Sequence, residues 1–174
     1  MERRLKISPK FIIILAVVLA VLVAVCAWVN HRNTDGETDG TSLSLCVDGK
    51  QVAEYSISEL MDMDEVTEHA ELQSAKEDDE SGDFTGVLLE DLLEESDIDA
   101  EDCKAIILSA GDGYSSAADK DETDRIIIAY SKDGDTLGYY TRGGTGPLRA
   151  IFCEDTYGNR SVKYLTKINC QRAN

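Results

Sequence analysis

The first stretch of the chain shows no alternation between apolar and polar positions at all. Phe11 to Val29 read FIIILAVVLAVLVAVCAWV, nineteen consecutive residues without a charge. As a helix this run spans about 28 Å, close to the hydrocarbon thickness of a bilayer. It lacks the polar face that a core helix of a small domain presents, so residues 11–29 are predicted to form a transmembrane helix. Residues 30–42 are polar with no apolar period and read as a tether. The pattern then becomes one of short strands. Leu43, Leu45 and Val47 alternate, Asp48-Gly49 is a hairpin signal, and Gln51 to Tyr55 returns. Ser56 and Glu59 have capping-box spacing for a short helix running through Met61. Val66 to Leu72 alternates weakly, and residues 74–83 read as a charged loop. Leu88, Leu89, Leu92 and Leu93 fall on one helical face, with Glu90, Asp91, Glu94 and Glu95 on the other. Ala105–Leu108, Ile126–Tyr130 and Leu148–Phe152 are short apolar runs of the kind buried strands use. Asp133-Gly134 turns the chain, Gly138 to Thr141 resumes it, and Ser161 to Ile168 alternates to the end. The predicted class is α+β: a mixed sheet with two or three short helices, occupying residues 43–174 as one domain without repeats.

Charge gives this layout a direction. Arg3, Arg4, Lys6 and Lys10 precede the apolar run against Glu2 alone, and the far flank turns acidic at Asp35, Glu37 and Asp39. Basic flanks stay in the cytoplasm. Residues 1–10 are therefore expected to be a cytoplasmic tail, and the domain is expected outside a cell membrane that the chain crosses once. Trp28 suits the far interface. A cleaved signal peptide has a shorter apolar stretch and small residues before the cut, and a lipoprotein has a small residue before its cysteine, where Val25 precedes Cys26. The uncleaved anchor is favoured over both. Beyond the span lie 33 acidic and 13 basic side chains, a net charge of −20. Such a domain repels nucleic acid, which leaves the membrane, a small ligand or an envelope protein as partners. Its acidic clusters lack calcium-loop spacing and read as solvated surface.

Cysteine and histidine limit the chemistry further. Cys46, Cys103, Cys153 and Cys170 lie beyond the span and permit two disulfides, in any of three connectivities. There is no CxxC and no Cys/His pair at metal spacing, so no metal site is expected. His31 and His69 are the only histidines, and they support no acid–base or nucleophilic constellation.

Three segments are more specific than their composition. They are Phe84-Thr85-Gly86-Val87-Leu88-Leu89-Glu90-Asp91-Leu92-Leu93, then Ser109-Ala110-Gly111-Asp112-Gly113-Tyr114, then Gly143-Gly144-Thr145-Gly146-Pro147-Leu148-Arg149 paired with Ser161-Val162-Lys163-Tyr164-Leu165-Thr166-Lys167-Ile168. In this order they resemble the molybdopterin-binding domain of the sulfite oxidase family, with its W-x-G-V-x-L-x-D-L-L, D-G-Y, G-x-P-x-R and V-K-W-L-x-x-I segments. The resemblance covers roughly residues 43–170 and implies that family's fold. It also implies a molybdenum held by pterin dithiolene sulfurs and one cysteine thiolate, with the pterin phosphate on basic side chains. Carried over by position, Arg149 and Lys163 are the phosphate-binding candidates. Arg160 completes a basic cluster with them, and Asp112, Gly113 and Tyr114 are cleft candidates. The plainer alternative makes these cations strand-edge charges paired with Glu154 or Asp155.

The departures from the family weigh against enzymatic activity. Where the resemblance places the ligand cysteine, this chain has Gln73, Ser74 and Ala75, and no cysteine occurs from 47 to 102. The soft metal thereby loses its one protein thiolate. Phe84 and Tyr164 replace family tryptophans, and Gly144 stands where a histidine often lies. The strong apolar anchor also suits export of an unfolded chain, hence without cofactor. The sequence therefore points to a cofactor-free binding or interaction module, with no catalytic or metal residues assigned. The alternatives are a molybdopterin oxidoreductase with an unusual ligand such as Ser74, and an acidic surface domain that shares only the fold.

Overall fold

Strand formation follows the alternation seen in the sequence, and two sheets result. The computed structural model describes residues 42–74 and 78–172; the predicted tail 1–10, span 11–29 and nearly all of the tether 30–42 lie outside them. Among the described residues no helix is long and apolar enough to cross a membrane. The first sheet contains β1 (Ser42–Val47), β2 (Lys50–Ser56), β5 (Cys103–Ala110), β6 (Ser115–Ala118) and β10 (Leu165–Arg172), in the order β2-β1-β10-β5-β6. β10 runs parallel to β1 and antiparallel to β5, so the sheet is mixed. The second sheet contains β3 (Val66–Leu72), β4 (Glu80–Leu88), β7 (Ile126–Lys132), β8 (Asp135–Thr136) and β9 (Arg149–Phe152). β7 pairs with β4 on one side and with β8 and β9 on the other.

Local chemistry sets the turns and caps. Asp48 (φ 50°) and Gly49 (φ 79°) both occupy the left-handed region that a two-residue hairpin needs. Helix α1 (Ile57–Met61) opens on a capping box: Ser56 Oγ accepts from the Glu59 amide, and the Glu59 carboxylate accepts from the Ser56 amide at 2.8 Å. Such a cap stabilises by about 1 kcal/mol. Helix α2 (Leu89–Glu95) buries Leu89, Leu92 and Leu93 and leaves its acidic positions outward. Leu88, expected on that helical face, instead ends β4 and precedes the helix.

The core explains the continuous apolar runs Ile126–Tyr130 of β7 and Ala150–Phe152 of β9. Ile126, Ile128, Tyr130, Ala150 and Phe152 pack into a cluster with α2 and the first sheet. Ile127, Ala129 and Ile151, from the opposite faces of the same strands, pack with Phe84, Leu72 and Leu137 in a second cluster. Strands buried on both faces read as continuous apolar runs. Gly86 sits where β4 bulges against β7, and a Cβ there would collide with the Ile128 carbonyl.

Cys103 and Cys170 form a disulfide that ties the start of β5 to β10. Of the two bridges that four cysteines permit, one forms among the described residues, and Cys46 and Cys153 are not part of it. Three expectations about elements are corrected. The charged loop ends early, since Glu80 to Asp83 belong to β4. Gly138 to Thr141 is not a strand: Gly138 (φ 69°) breaks the chain and Tyr140–Arg142 is a short 3-10 turn. Ser161 to Tyr164 precede β10 rather than begin it, because Tyr164 (φ 56°) leaves the extended region.

Candidate functional site

Three connections converge on one cleft. The β5–β6 turn is built by Asp112-Gly113-Tyr114: Gly113 takes a φ of 91°, and the Asp112 carboxylate accepts from the Tyr114 amide at 3.0 Å. The segment before β9 delivers Pro147, Leu148 and then Arg149. The loop from 153 to 164 supplies Gly158, Ser161, Lys163 and Tyr164. Backbone hydrogen bonds sew these together, with Gly111 donating to the Tyr164 carbonyl, Tyr164 to Thr145 and Leu165 to Leu148. The Tyr114 hydroxyl donates to the Asn159 carbonyl and closes the rim. The result is a cleft of about 400 Å³ lined by Asp112, Tyr114, Arg149, Gly158, Ser161, Lys163 and Tyr164.

Arg149 is the unusual member. It is 1% exposed and ranks among the largest fully buried side chains of the described residues. On β9 it shares a face with Ile151, so its guanidinium passes over the Phe84 ring of the second cluster, 5.2 Å from the centroid. Both terminal amines donate to one carboxylate: Nη1 to Glu80 Oε1 at 2.9 Å and Nη2 to Glu80 Oε2 at 3.1 Å. This two-pronged geometry is the strong form of the arginine–carboxylate pair. Lys132 Nζ approaches the same carboxylate at 3.3 Å and lies 5.7 Å from the Phe84 centroid. Burial raises the Glu80 pKa, but the hydrogen bonds and charge of Arg149, with Lys132, outweigh it and hold the group below its ordinary value. Two buried polar atoms of cleft-lining residues have no partner among the described residues, Arg149 Nε and Ser161 Oγ.

The other predicted residues fall as follows. Asp112, Tyr114 and Lys163 line the cleft with Arg149, and Gly113 shapes the turn behind them. Arg160 is not among the lining residues. Its guanidinium donates to Glu122 at 2.6 and 2.9 Å and to Asp155 at 3.3 Å, and it stacks 4.2 Å over the Phe152 ring. The Arg160 hydrogen bond holds Glu122 below its usual pKa. The basic cluster read from sequence is therefore divided. The pairing expected for these cations is also corrected in part: Asp155 does meet Arg160, but Glu154 pairs with Arg125 and Arg149 pairs with Glu80.

Sequence reasoning missed Glu80, which lay inside a run of acidic residues with nothing local to distinguish it. It missed Ser161 and Gly158 as well. Gly158 fits because a Cβ there would press on Leu72 at 3.1 Å.

The family described as the oxidoreductase molybdopterin binding domain matches residues 31–174. The chain belongs to this family. Its solved relatives include the sulfane dehydrogenase SoxCD from Paracoccus pantotrophus, with a TM-score of 0.64 and 15% identity. The alignment covers 78% of this chain and 39% of that chain. At this identity the likeness is one of fold, and the present chain spans well under half of its relative. No curated protein matches the chain. The mixed sheets with few short helices are those of the molybdopterin-binding domain.

The residues present fit the family's cofactor poorly. None of the cleft-lining residues is a cysteine. Cys103 and Cys170 are bonded to each other, and burial pushes the Cys153 thiol up to about 11, far from the thiolate a metal takes. The arginine placed for a phosphate has both terminal amines on Glu80. No lining side chain supplies the soft donor that molybdenum prefers.

Proposed function

We propose that this chain is a membrane-anchored, extracytoplasmic member of the molybdopterin-binding domain family that works without the molybdenum cofactor. Its domain binds a small ligand, or a segment of an envelope protein, in the cleft beside Arg149. One observation carries the reading: the cleft brings together Asp112, Tyr114, Arg149 and Lys163, the residues to which the resemblance points, and none of its lining residues is a cysteine. Anchorage rests on the charge-free run at residues 11–29 and its basic N-terminal flank. The Cys103–Cys170 bridge supports the same location, because such bonds persist in oxidising compartments.

The test is metal and pterin analysis of the full chain, produced in a host that makes molybdopterin. Molybdenum at background level is the expected result. One molybdenum per chain would overturn the reading and favour a molybdopterin oxidoreductase with an unusual ligand such as Ser74. Protease treatment of intact spheroplasts tests the location separately. The acidic domain should be digested from outside, and full protection of it would contradict the proposed orientation.

A further inference from the structure

His69 is the one histidine among the described residues, and both of its ring nitrogens are engaged. Nδ1 lies 2.7 Å from Asp83 Oδ1, and Nε2 lies 3.2 Å from Ser81 Oγ. An ionised carboxylate only accepts, so Nδ1 carries the ring proton and donates it to Asp83. Nε2 then presents its lone pair, and the Ser81 hydroxyl donates to it. The order carboxylate, imidazole, hydroxyl is the one that makes a serine nucleophilic. The imidazole takes the hydroxyl proton while the carboxylate fixes its tautomer and orientation. Pairing of β3 with β4 builds the set. His69 stands opposite Asp83 and Glu71 opposite Ser81, and alternation puts all four side chains on one face. His69 is 12 positions from Ser81 and 14 from Asp83, so no local spacing announces them.

We propose that Ser81, His69 and Asp83 form a hydrolytic site, separate from the cleft, that cleaves small uncharged carboxylic esters with good leaving groups. Ser81 Oγ bonds to the ester carbonyl carbon while its proton passes to His69 Nε2. The carbon–oxygen bond to the leaving group then breaks, and the departing alkoxide takes that proton. Water, deprotonated by the same nitrogen, attacks the acyl carbon, releases the acid and restores the Ser81 hydroxyl. No co-reactant besides water is needed. None of the three residues lines the cleft. The His69 and Asp83 side chains are 57% and 62% exposed, and Ser81 is exposed, so a substrate reaches the hydroxyl directly from solvent. Glu71 stands beside Ser81, and the Asp133 carboxylate accepts from the Asp83 amide at 2.9 Å. These negative surroundings disfavour anionic esters. Alternate amides of a strand point the same way, so the Ser81 amide, like that of Asp83, points away from β3. There it meets no residue in register, because β7 joins β4 only from Phe84 onward. One such donor is less than a full oxyanion hole, so turnover is slow and acylation of Ser81 is the readable event.

The experiment treats the full chain in detergent with p-nitrophenyl acetate, and separately with a serine-directed fluorophosphonate, and locates the label by peptide mass spectrometry. One label per chain, on Ser81, is the expected result. Ser81→Ala should abolish it, and His69→Gln should slow it about 100-fold, as loss of a general base does. Asp83→Asn should slow it about tenfold or more at an unchanged melting temperature, because the carboxylate positions the imidazole. Asp83→Glu should restore part of that rate, whereas a merely structural carboxylate would move the melting temperature and leave the labelling rate alone. All three side chains are exposed, so the variants are expected to keep the fold, and the position of the wild-type label decides even where one does not. A wild-type chain unlabelled at Ser81 would overturn the proposal, and so would labelling of Ser81 at the same rate in His69→Gln. The molybdenum assay reads metal content and this one reads acylation of Ser81, so the two ideas fail separately.

Discussion

Two arginines of this domain use the same chemistry in different surroundings. Arg149 and Arg160 each hold a carboxylate with both terminal amines, and each lies over a phenylalanine ring. Arg149 has a side chain 1% exposed, on a strand in the second sheet; Arg160 is 33% exposed, in the loop before β10. The difference teaches that a contact list does not rank these pairs. Taking one partner from a buried pair leaves an uncompensated charge away from water, which costs about 3–5 kcal/mol. The Arg160–Glu122 pair is half-buried, 33% and 26% exposed, so water still screens it and its contribution is about 1 kcal/mol. The two glutamates are almost equally exposed, and the contrast lies in the arginines. Arg149 is thus part of what holds the second cluster together, whereas Arg160 fastens a loop to the 3-10 turn at Lys120–Arg125.

The largest expected effect breaks the comparison at its buried end. Arg149→Ala should destabilise the domain by about 3–5 kcal/mol, because it opens space beside Phe84 and leaves Glu80 to Lys132 alone. Arg160→Ala should lower stability by no more than about 1 kcal/mol. Urea unfolding of the two variants under one buffer condition measures both. Similar losses at the two positions would remove the distinction.

Acid sharpens the comparison next. Glu80 and Glu122 both have folded pKa values below the ordinary 4.5. A depressed carboxylate contributes stability that is fully present above its unfolded pKa and is lost as pH falls through the folded one. Melting temperature should therefore hold from neutrality to about pH 5 and fall below it. Arg160→Ala should retain most of this acid sensitivity if Glu80 is the larger source. A melting temperature that rises on acidification would contradict the sign.

A smaller effect lies between the two sites. Cys153 follows Phe152, over which Arg160 stacks, and packs against the cluster beneath Arg149. Burial, with the nearby charge of Glu68, pushes its thiol up to about 11. It should react slowly with iodoacetamide at pH 8, faster in Arg149→Ala and little changed in Arg160→Ala. Rapid labelling of the wild-type chain at Cys153 would contradict the burial.

Much of the fold was legible because its signals are local. The Asp48-Gly49 hairpin, the Ser56–Glu59 capping box and the leucine face of α2 each need only neighbouring residues; the first two form as read, and the third does so for Leu89, Leu92 and Leu93 but not for Leu88. Strand ends were less legible. Tyr164 takes a positive φ although nothing in its type requires one, and β6 is written in Ser115, Ser116, Ala117 and Ala118, which carry no apolar alternation. At the cleft, the resemblance supplied Asp112, Tyr114, Arg149 and Lys163, and the structure sets these side by side. It could not supply Glu80. Its partner is 69 positions away, and in the run from Glu77 to Glu80 only tertiary pairing of β4, β7 and β9 singles one carboxylate out.

The claim that Arg149 is turned onto Glu80 is tested most directly by a double-mutant cycle. Stabilities of the wild type, Arg149→Met, Glu80→Gln and the double variant give the coupling energy between the two side chains. The account predicts a coupling of about 2 kcal/mol or more, with the double variant more stable than the sum of the single losses implies. A coupling below about 0.5 kcal/mol would contradict it.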